Sequence, residues 1–196
     1  MNIKFRQYLN IAVCLVLSGC ASSPPIQFYL LDTGNTGAIS SPTVNLSGKA
    51  IGVGPVRFPD YLDRPQIVTR SSDNELVLSD THRWAEPLEE NFSRFLAEQF
   101  SRLTDSSISI EPSRNRTSLD MRIIIDVIRF DTNANGDINL VSYWQVENQD
   151  GTQKISQRRS DIQISGYSSS NYPAIVSSMS EAVARLADEI AEALTD

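Results

Sequence analysis

The side chains able to do chemistry are few in this chain: one His, His82, two Cys, Cys14 and Cys20, and 24 carboxylates against 17 Lys and Arg. His82 is a candidate general base, with Asp80 or Glu86 near enough in sequence to orient it, but neither a Ser nor a Cys is placed by spacing to use it. The plainer reading is that His82, Arg83 and Trp84 pack and hydrogen-bond at the start of a helix. Gly166-Tyr-Ser168 begins a nucleophile elbow, yet the second Gly falls on Ser170. Asp131-Thr-Asn133-Ala-Asn135-Gly136-Asp137 follows the first half of a calcium loop, with oxygen ligands at alternate positions and a Gly for the sharp turn. Its twelfth position is Ser142 in place of the bidentate Glu, so a hairpin turn is expected. Gly52-Val-Gly54 starts a dinucleotide loop, but Arg57 stands at the third Gly position and Pro55 where the phosphate-binding helix would begin. One His and two Cys are too few for a zinc site. No metal, cofactor or catalytic residue is expected, and the chain reads as a non-enzyme.

The 196 residues, about 40% hydrophobic, amount to one ordinary globular domain. A domain of this size buries roughly two-thirds of its unfolded surface and needs neither disulfide nor structural metal. A net charge of −7 argues against gripping nucleic-acid phosphates, which takes clustered Lys and Arg.

The first 19 residues depart from these averages. Lys4 and Arg6 precede the apolar run Leu9 to Leu17, broken only by Asn10. The run is far shorter than the roughly 20 residues of a membrane span and has the layout of a secretion signal. It stops at Leu17-Ser18-Gly19-Cys20, which resembles the bacterial lipobox. That resemblance implies that the Cys20 thiol takes a diacylglycerol by thioether, that the chain is cut before Cys20, and that the new amino group is usually acylated. One acyl chain binds a bilayer at only about 10⁴ M⁻¹, so two or three make a stable anchor. Ala21 follows, where an Asp would favour inner-membrane retention in the sorting rule of diderm bacteria; an outer-membrane anchor on the periplasmic face is the expectation. Loss of residues 1–19 takes Lys4 and Arg6 with it and moves the net charge from −7 to −9, so no polybasic patch supplies the membrane hold. The expected division is a signal peptide over 1–19, a lipidated tether over 20–26 and a single folded domain over 27–196.

Within that domain, Gln27 to Leu31 predicts a first strand and Ala50 to Val56 a second. A hairpin is predicted from Gln66–Arg70 and Glu75–Leu78 around Ser71-Ser-Asp-Asn74. Trp84, Leu88, Phe92, Phe95, Leu96, Gln99 and Leu103 recur at three and four residues and predict a helix, capped by Asp80 or Thr81 with its first turn near Glu86. Three strands follow, Asp120–Phe130, Asp137–Glu147 and Lys154–Ile164. The first carries Ile and Val on both faces and is expected at the centre of the sheet. The second places Ile138, Leu140, Trp144 and Val146 on one face. A last helix carries Ile175, Val176, Met179, Val183, Leu186, Ile190 and Leu194. About seven strands and two amphipathic helices make an α+β domain, a mixed β-sheet with both helices packed on one face.

Several of these segments together resemble a known family. Phe28-Tyr-Leu-Leu-Asp32, Ile51-Gly-Val-Gly-Pro-Val-Arg57, Pro59-Asp-Tyr-Leu-Asp-Arg-Pro-Gln-Ile-Val-Thr-Arg70, Glu75-Leu-Val-Leu78 and above all His82-Arg-Trp-Ala-Glu-Pro-Leu-Glu89 look like the PqiC/YmbA family of ABC-type transport auxiliary lipoproteins. The resemblance implies an outer-membrane lipoprotein that docks or caps the periplasm-spanning tunnel of an MCE-domain protein. It further implies work with inner-membrane transporter subunits in lipid transport, support of envelope integrity, and a homo-oligomer. Arg57, Tyr61, Arg64, Arg70, His82 and Trp84 are the candidate surface for a partner or a second copy, and Cys20 is the lipidation site. Two other readings stay open: a periplasmic lipid-binding carrier, which needs an apolar cavity between sheet and helices, and a cell-envelope hydrolase using His82.

Overall fold

The computed structural model describes residues 24–32, 44–104, 106–111, 119–165 and 170–195. The secretion signal, Cys14, Cys20, Ala21 and Gly166-Tyr-Ser168 therefore lie outside the described residues, as does most of the loop 32–48. The strands are β1 (Gln27–Tyr29), β2 (Ala50–Arg57), β3 (Gln66–Ser72), β4 (Glu75–Trp84), β5 (Ser107–Ile110), β6 (Met121–Thr132), β7 (Ile138–Asn148) and β8 (Gln153–Ile164). The helices are α1 (Leu88–Thr104) and α2 (Tyr172–Ala193), and a single 3₁₀ turn spans Asp60–Leu62.

All eight strands form one mixed sheet organised around β6. One edge of β6 pairs antiparallel with β7 over its whole length, and β8 continues antiparallel beyond β7. The other edge is shared: β2 runs parallel to residues 121–126, and β3 meets β6 at Thr69 and Thr132. Outside β2 lies β5, parallel; outside β3 lie β4, antiparallel, and then β1, parallel to β4. The expectation of a central 120–130 strand holds, because Met121, Ile123, Ile125 and Val127 point into the core while Ile124 on the other face is half-buried. Likewise Ile138, Leu140, Trp144 and Val146 all face the core from β7.

Both helices cover the same face of the sheet. Phe92, Leu96, Phe100 and Leu103 of α1 and Met179, Val183, Leu186 and Ile190 of α2 are almost fully buried against it. Aromatic edges lock this layer: Phe92 stands T-shaped to Phe130 at 5.6 Å and to Phe58 at 5.3 Å.

The largest departure from the expected boundaries lies between β4 and α1; β1 also ends at Tyr29, two residues early, and β3 runs to Ser72, which shortens the β3–β4 turn to Asp73–Asn74. The helix starts at Leu88, not near Glu86, and Trp84 is the last residue of β4. Glu86 precedes Pro87, and the residue before a proline is driven out of helical backbone. The backbone N–H of Trp84 is instead donated to the Pro65 carbonyl at 2.7 Å, and β1 adds alongside His82–Trp84. Asp80 and Thr81, read as helix caps, lie where β4 slips against β3, from Leu78 opposite Val68 to Arg83 opposite Gln66. In addition, the four-residue β5 makes eight strands where about seven were expected; Ser107-Ile-Ser-Ile110 alternates, but only over the shortest span at which alternation marks a strand.

The Asn133–Gly136 turn explains the calcium-like spacing. The Asn133 side-chain oxygen accepts from the backbone N–H groups of Asn135 and Asp137, both at 2.9 Å, and Gly136 has φ 88. It is an Asx-type hairpin turn, and among the described residues no cluster of three or more His, Cys, Asp and Glu suited to a metal is present.

Gly54 is the position where the sheet most needs a glycine. Its φ is +124, and a Cβ there would lie 2.7 Å from the backbone oxygen of Glu111, whose N–H is donated to Val53 at 2.8 Å. We expect Gly54→Ala to cost about 1–3 kcal/mol from backbone strain and crowding, read as a lower urea midpoint. Gly151→Ala has φ +79 but open space around it, and should cost less.

Candidate functional site

The sequence-predicted residues fall into separate places. Tyr61 and Arg70 converge on a residue the sequence reading treated only as part of a turn. Asp131, at the end of β6, is completely buried. Arg70 from β3 donates its Nε to both carboxylate oxygens, at 3.0 and 2.9 Å; Arg129 donates its Nε at 2.8 Å, and the Tyr61 hydroxyl donates at 3.0 Å. Arg70 also donates from Nη1 to the Asp73 carbonyl, tying the β3–β4 turn to the cluster, and its guanidinium lies 5.8 Å from the Tyr61 ring centroid. The cluster thus joins the 3₁₀ turn, β3 and β6, where β2 and β3 share the edge of β6. A buried carboxylate needs partners of this kind, since unpaired burial of a charge is very costly. The sequence offered no signal for Asp131 beyond its turn-like spacing; in the structure residues 130–132 break the alternation of β6 and are all buried.

Burial, reinforced by the Asp131 charge, pushes Tyr61 up from 10.0 to about 12. Its neutral form is the one the fold favours. The stability Tyr61 contributes is therefore fully present below pH 10 and is lost as the pH rises through 12. In an ultraviolet titration of tyrosinate, a late-ionising fraction should be present and should shrink in Tyr61→Phe; an unchanged profile in that variant would contradict the assignment.

His82 belongs to a second place. Its ring stacks on Tyr172 at the start of α2, centroids 3.8 Å apart and planes 10° from parallel, and its Nδ1 lies 2.9 Å from the Tyr29 hydroxyl. That hydroxyl donates to Gln27 Oε1 at 2.7 Å, so it accepts from Nδ1–H of the imidazole. Glu86, weighed as an orienting carboxylate, is instead paired with Arg94, whose hydrogen bonds hold it below the usual carboxylate range. His82 therefore anchors β1 and α2 to β4. The stack borders an open groove of about 700 Å³ lined by Pro24, Ile26, Leu78, Asp80 and Tyr172.

The remaining candidates are dispersed. Arg57 pairs with Asp126 at 3.1 Å on the face of the sheet opposite the helices, exposed, beside a shallow hollow bordered by Ile124 and Tyr143. Arg64 follows the 3₁₀ turn, and its Nε is buried without a hydrogen-bond partner, as is that of Arg83. Trp84, read as a surface candidate, is 4% exposed and belongs to the core, because β1 covers the strand end that the sequence placed in a helix. What the described residues define is an α+β scaffold with a structural carboxylate cluster, an aromatic-histidine clasp and an open sheet face. Among them no helix is long and apolar enough to cross a membrane.

The family model for the ABC-type transport auxiliary lipoprotein component matches residues 29–191, and the chain belongs to that family. Two solved structures share the fold. An uncharacterised protein is 18% identical with a TM-score of 0.70, covering 87% of this chain and 99% of its own. A Xanthomonas campestris protein of family DUF330 is 18% identical with a TM-score of 0.66, covering 84% and 92%. No curated protein sequence matches the chain.

Proposed function

We propose that the protein is a non-enzymatic subunit of an MCE-type intermembrane lipid transport system, held on the periplasmic face of the outer membrane by acylated Cys20. In this reading residues 1–19 are removed as a signal, 20–26 form the tether, and the domain over 27–196 docks or caps the tunnel of the MCE-domain protein, as a homo-oligomer, and so supports envelope integrity. The family match over 29–191 carries the proposal; the lipobox-like Leu17 to Cys20 supports the anchor. The space between sheet and helices is filled by Phe92, Phe100, Phe130, Leu96 and Met179, which favours docking over carriage of a lipid inside the domain. Arg57 and Asp126 on the open sheet face are the proposed partner or self-association contact, with Arg64 near the 3₁₀ turn. Tyr61, Arg70 and His82 would serve that surface by fixing the backbone beneath it.

Genetic order tests the reading. Cells lacking this protein, the MCE-domain protein, or both should show the same sensitivity to a membrane-perturbing detergent. Clearly additive sensitivity in the double deletion would overturn the shared pathway.

A further inference from the structure

Six large apolar side chains stand in solvent on two neighbouring strands and the residues beside them. On and around β1, Phe28 is 64% exposed, Ile26 45% and Leu30 43%; in the first half of β4, Val77 and Leu78 are each 43% exposed and Leu76 36%. Scattered exposed apolar residues are normal on a protein surface, whereas a cluster of this kind marks a contact. The two strands meet at Ile26 and Leu78, which with Pro24 line one groove beside His82 and Tyr172.

The direction of the chain says what covers it. β1 is parallel to β4, with Gln27 opposite His82, so the N-terminal end of β1 points the same way as the β3–β4 turn at Asp73–Asn74. Only residues 21–23 separate Pro24 from Cys20, a reach of at most about 14 Å when fully extended. An acylated Cys20 therefore holds Ile26 and Leu78 close to the headgroup layer, itself several ångströms deep. The charged side chains nearby do not form a basic patch: Asp73, Glu75 and Asp80 are acidic, and Arg70 is committed to buried Asp131.

We infer that Ile26, Phe28, Leu76, Val77 and Leu78 form a second membrane contact, resting in the boundary between headgroups and acyl chains and fixing the orientation of the domain on the bilayer. The contact is apolar and, with Asp73, Glu75 and Asp80 beside it, takes a zwitterionic surface more readily than an anionic one. The inference rests on the acylation of Cys20 proposed above.

The test uses the full acylated protein on phosphatidylcholine vesicles. With Cys20 acylated and Cys14 removed with the signal, the variants Leu78→Cys, Phe28→Cys and Asp161→Cys each offer one thiol for an environment-sensitive fluorophore. Asp161 is exposed on β8, at the far edge of the sheet. Labels at 78 and 28 should be quenched by shallow brominated lipid several-fold more than the label at 161, equally in low and high salt. Equal quenching at all three sites, with intact mass confirming acylation, overturns the inference and leaves the anchor standing. A label at 78 that is shielded from water but not quenched by brominated lipid also overturns it, in favour of a protein partner or a second copy. A mass without acyl chains overturns the anchor and the inference together.

Discussion

Replacing Asp131 with Ala should destabilise the fold by about 3 kcal/mol, the low end of the range for removing one partner of a buried ion pair. The reason is geometric. Asp131 is 0% exposed and accepts from Arg70, Arg129 and Tyr61. Its loss leaves two guanidinium groups and a hydroxyl beside an empty acceptor. The cost is kept from the high end because the Arg70 and Arg129 side chains retain 16% and 32% of their exposure and can turn toward water. For a domain of this size, such a loss lowers the melting temperature by roughly 6–12 °C. Asp131→Asn keeps an acceptor oxygen and should cost less. Arg57→Ala breaks a pair whose side chains are 67% and 38% exposed, and should change stability by no more than about 1 kcal/mol. Urea midpoints at constant slope measure all three. A loss in Asp131→Ala no larger than in Arg57→Ala would show that the cluster is not what joins β3, β6 and the 3₁₀ turn.

Cys20→Ala should remove the protein from the outer-membrane fraction, by release or by mislocalisation with residues 1–19 still attached, with its melting temperature unchanged. The described residues include no helix able to span a bilayer, and the net charge after loss of residues 1–19 is −9, so electrostatic attraction to anionic headgroups offers no substitute. Each buried methylene of an acyl chain contributes about 0.8 kcal/mol, and it takes a second chain to turn marginal binding into a lasting anchor. The apolar patch around Leu78 is too small to replace two chains; it orients the domain and does not retain it. Fractionation showing Cys20→Ala unchanged in the outer-membrane fraction would remove the lipobox-like motif from any role in attachment.

How far the sequence revealed this fold depended on how local the signal was. The strands over 121–132, 138–148 and 153–164 were legible because a β-branched run in the first, alternating apolar residues in the other two, and Asn-Gly and Asp-Gly turns between them mark them within their own span. The helix stripes were legible for the same reason. In the sequence Trp84 falls on the helix stripe because the partners of His82–Trp84 are distant: β1 lies over fifty residues earlier, and that pairing makes Trp84 a strand residue. Propensity was overruled there by tertiary context. The candidate surface was legible only in part. Tyr61 and Arg70 both stand in the segment Pro59–Arg70, yet their common partner Asp131 sits in another element and carries no motif beyond a turn-like spacing. Tyr172, which stacks on His82, was hidden in the same way, at the far end of the chain. Residue types announce what can pair, and the folded topology decides what does.

The account of a docking subunit is tested most directly by mild crosslinking of intact cell envelopes, followed by purification of the acylated protein and identification of what is bound. The MCE-domain tunnel protein and its inner-membrane subunits should be recovered with the wild-type chain and sharply depleted with Cys20→Ala. Failure to recover any MCE-domain protein, under conditions that retain other envelope complexes, would contradict it.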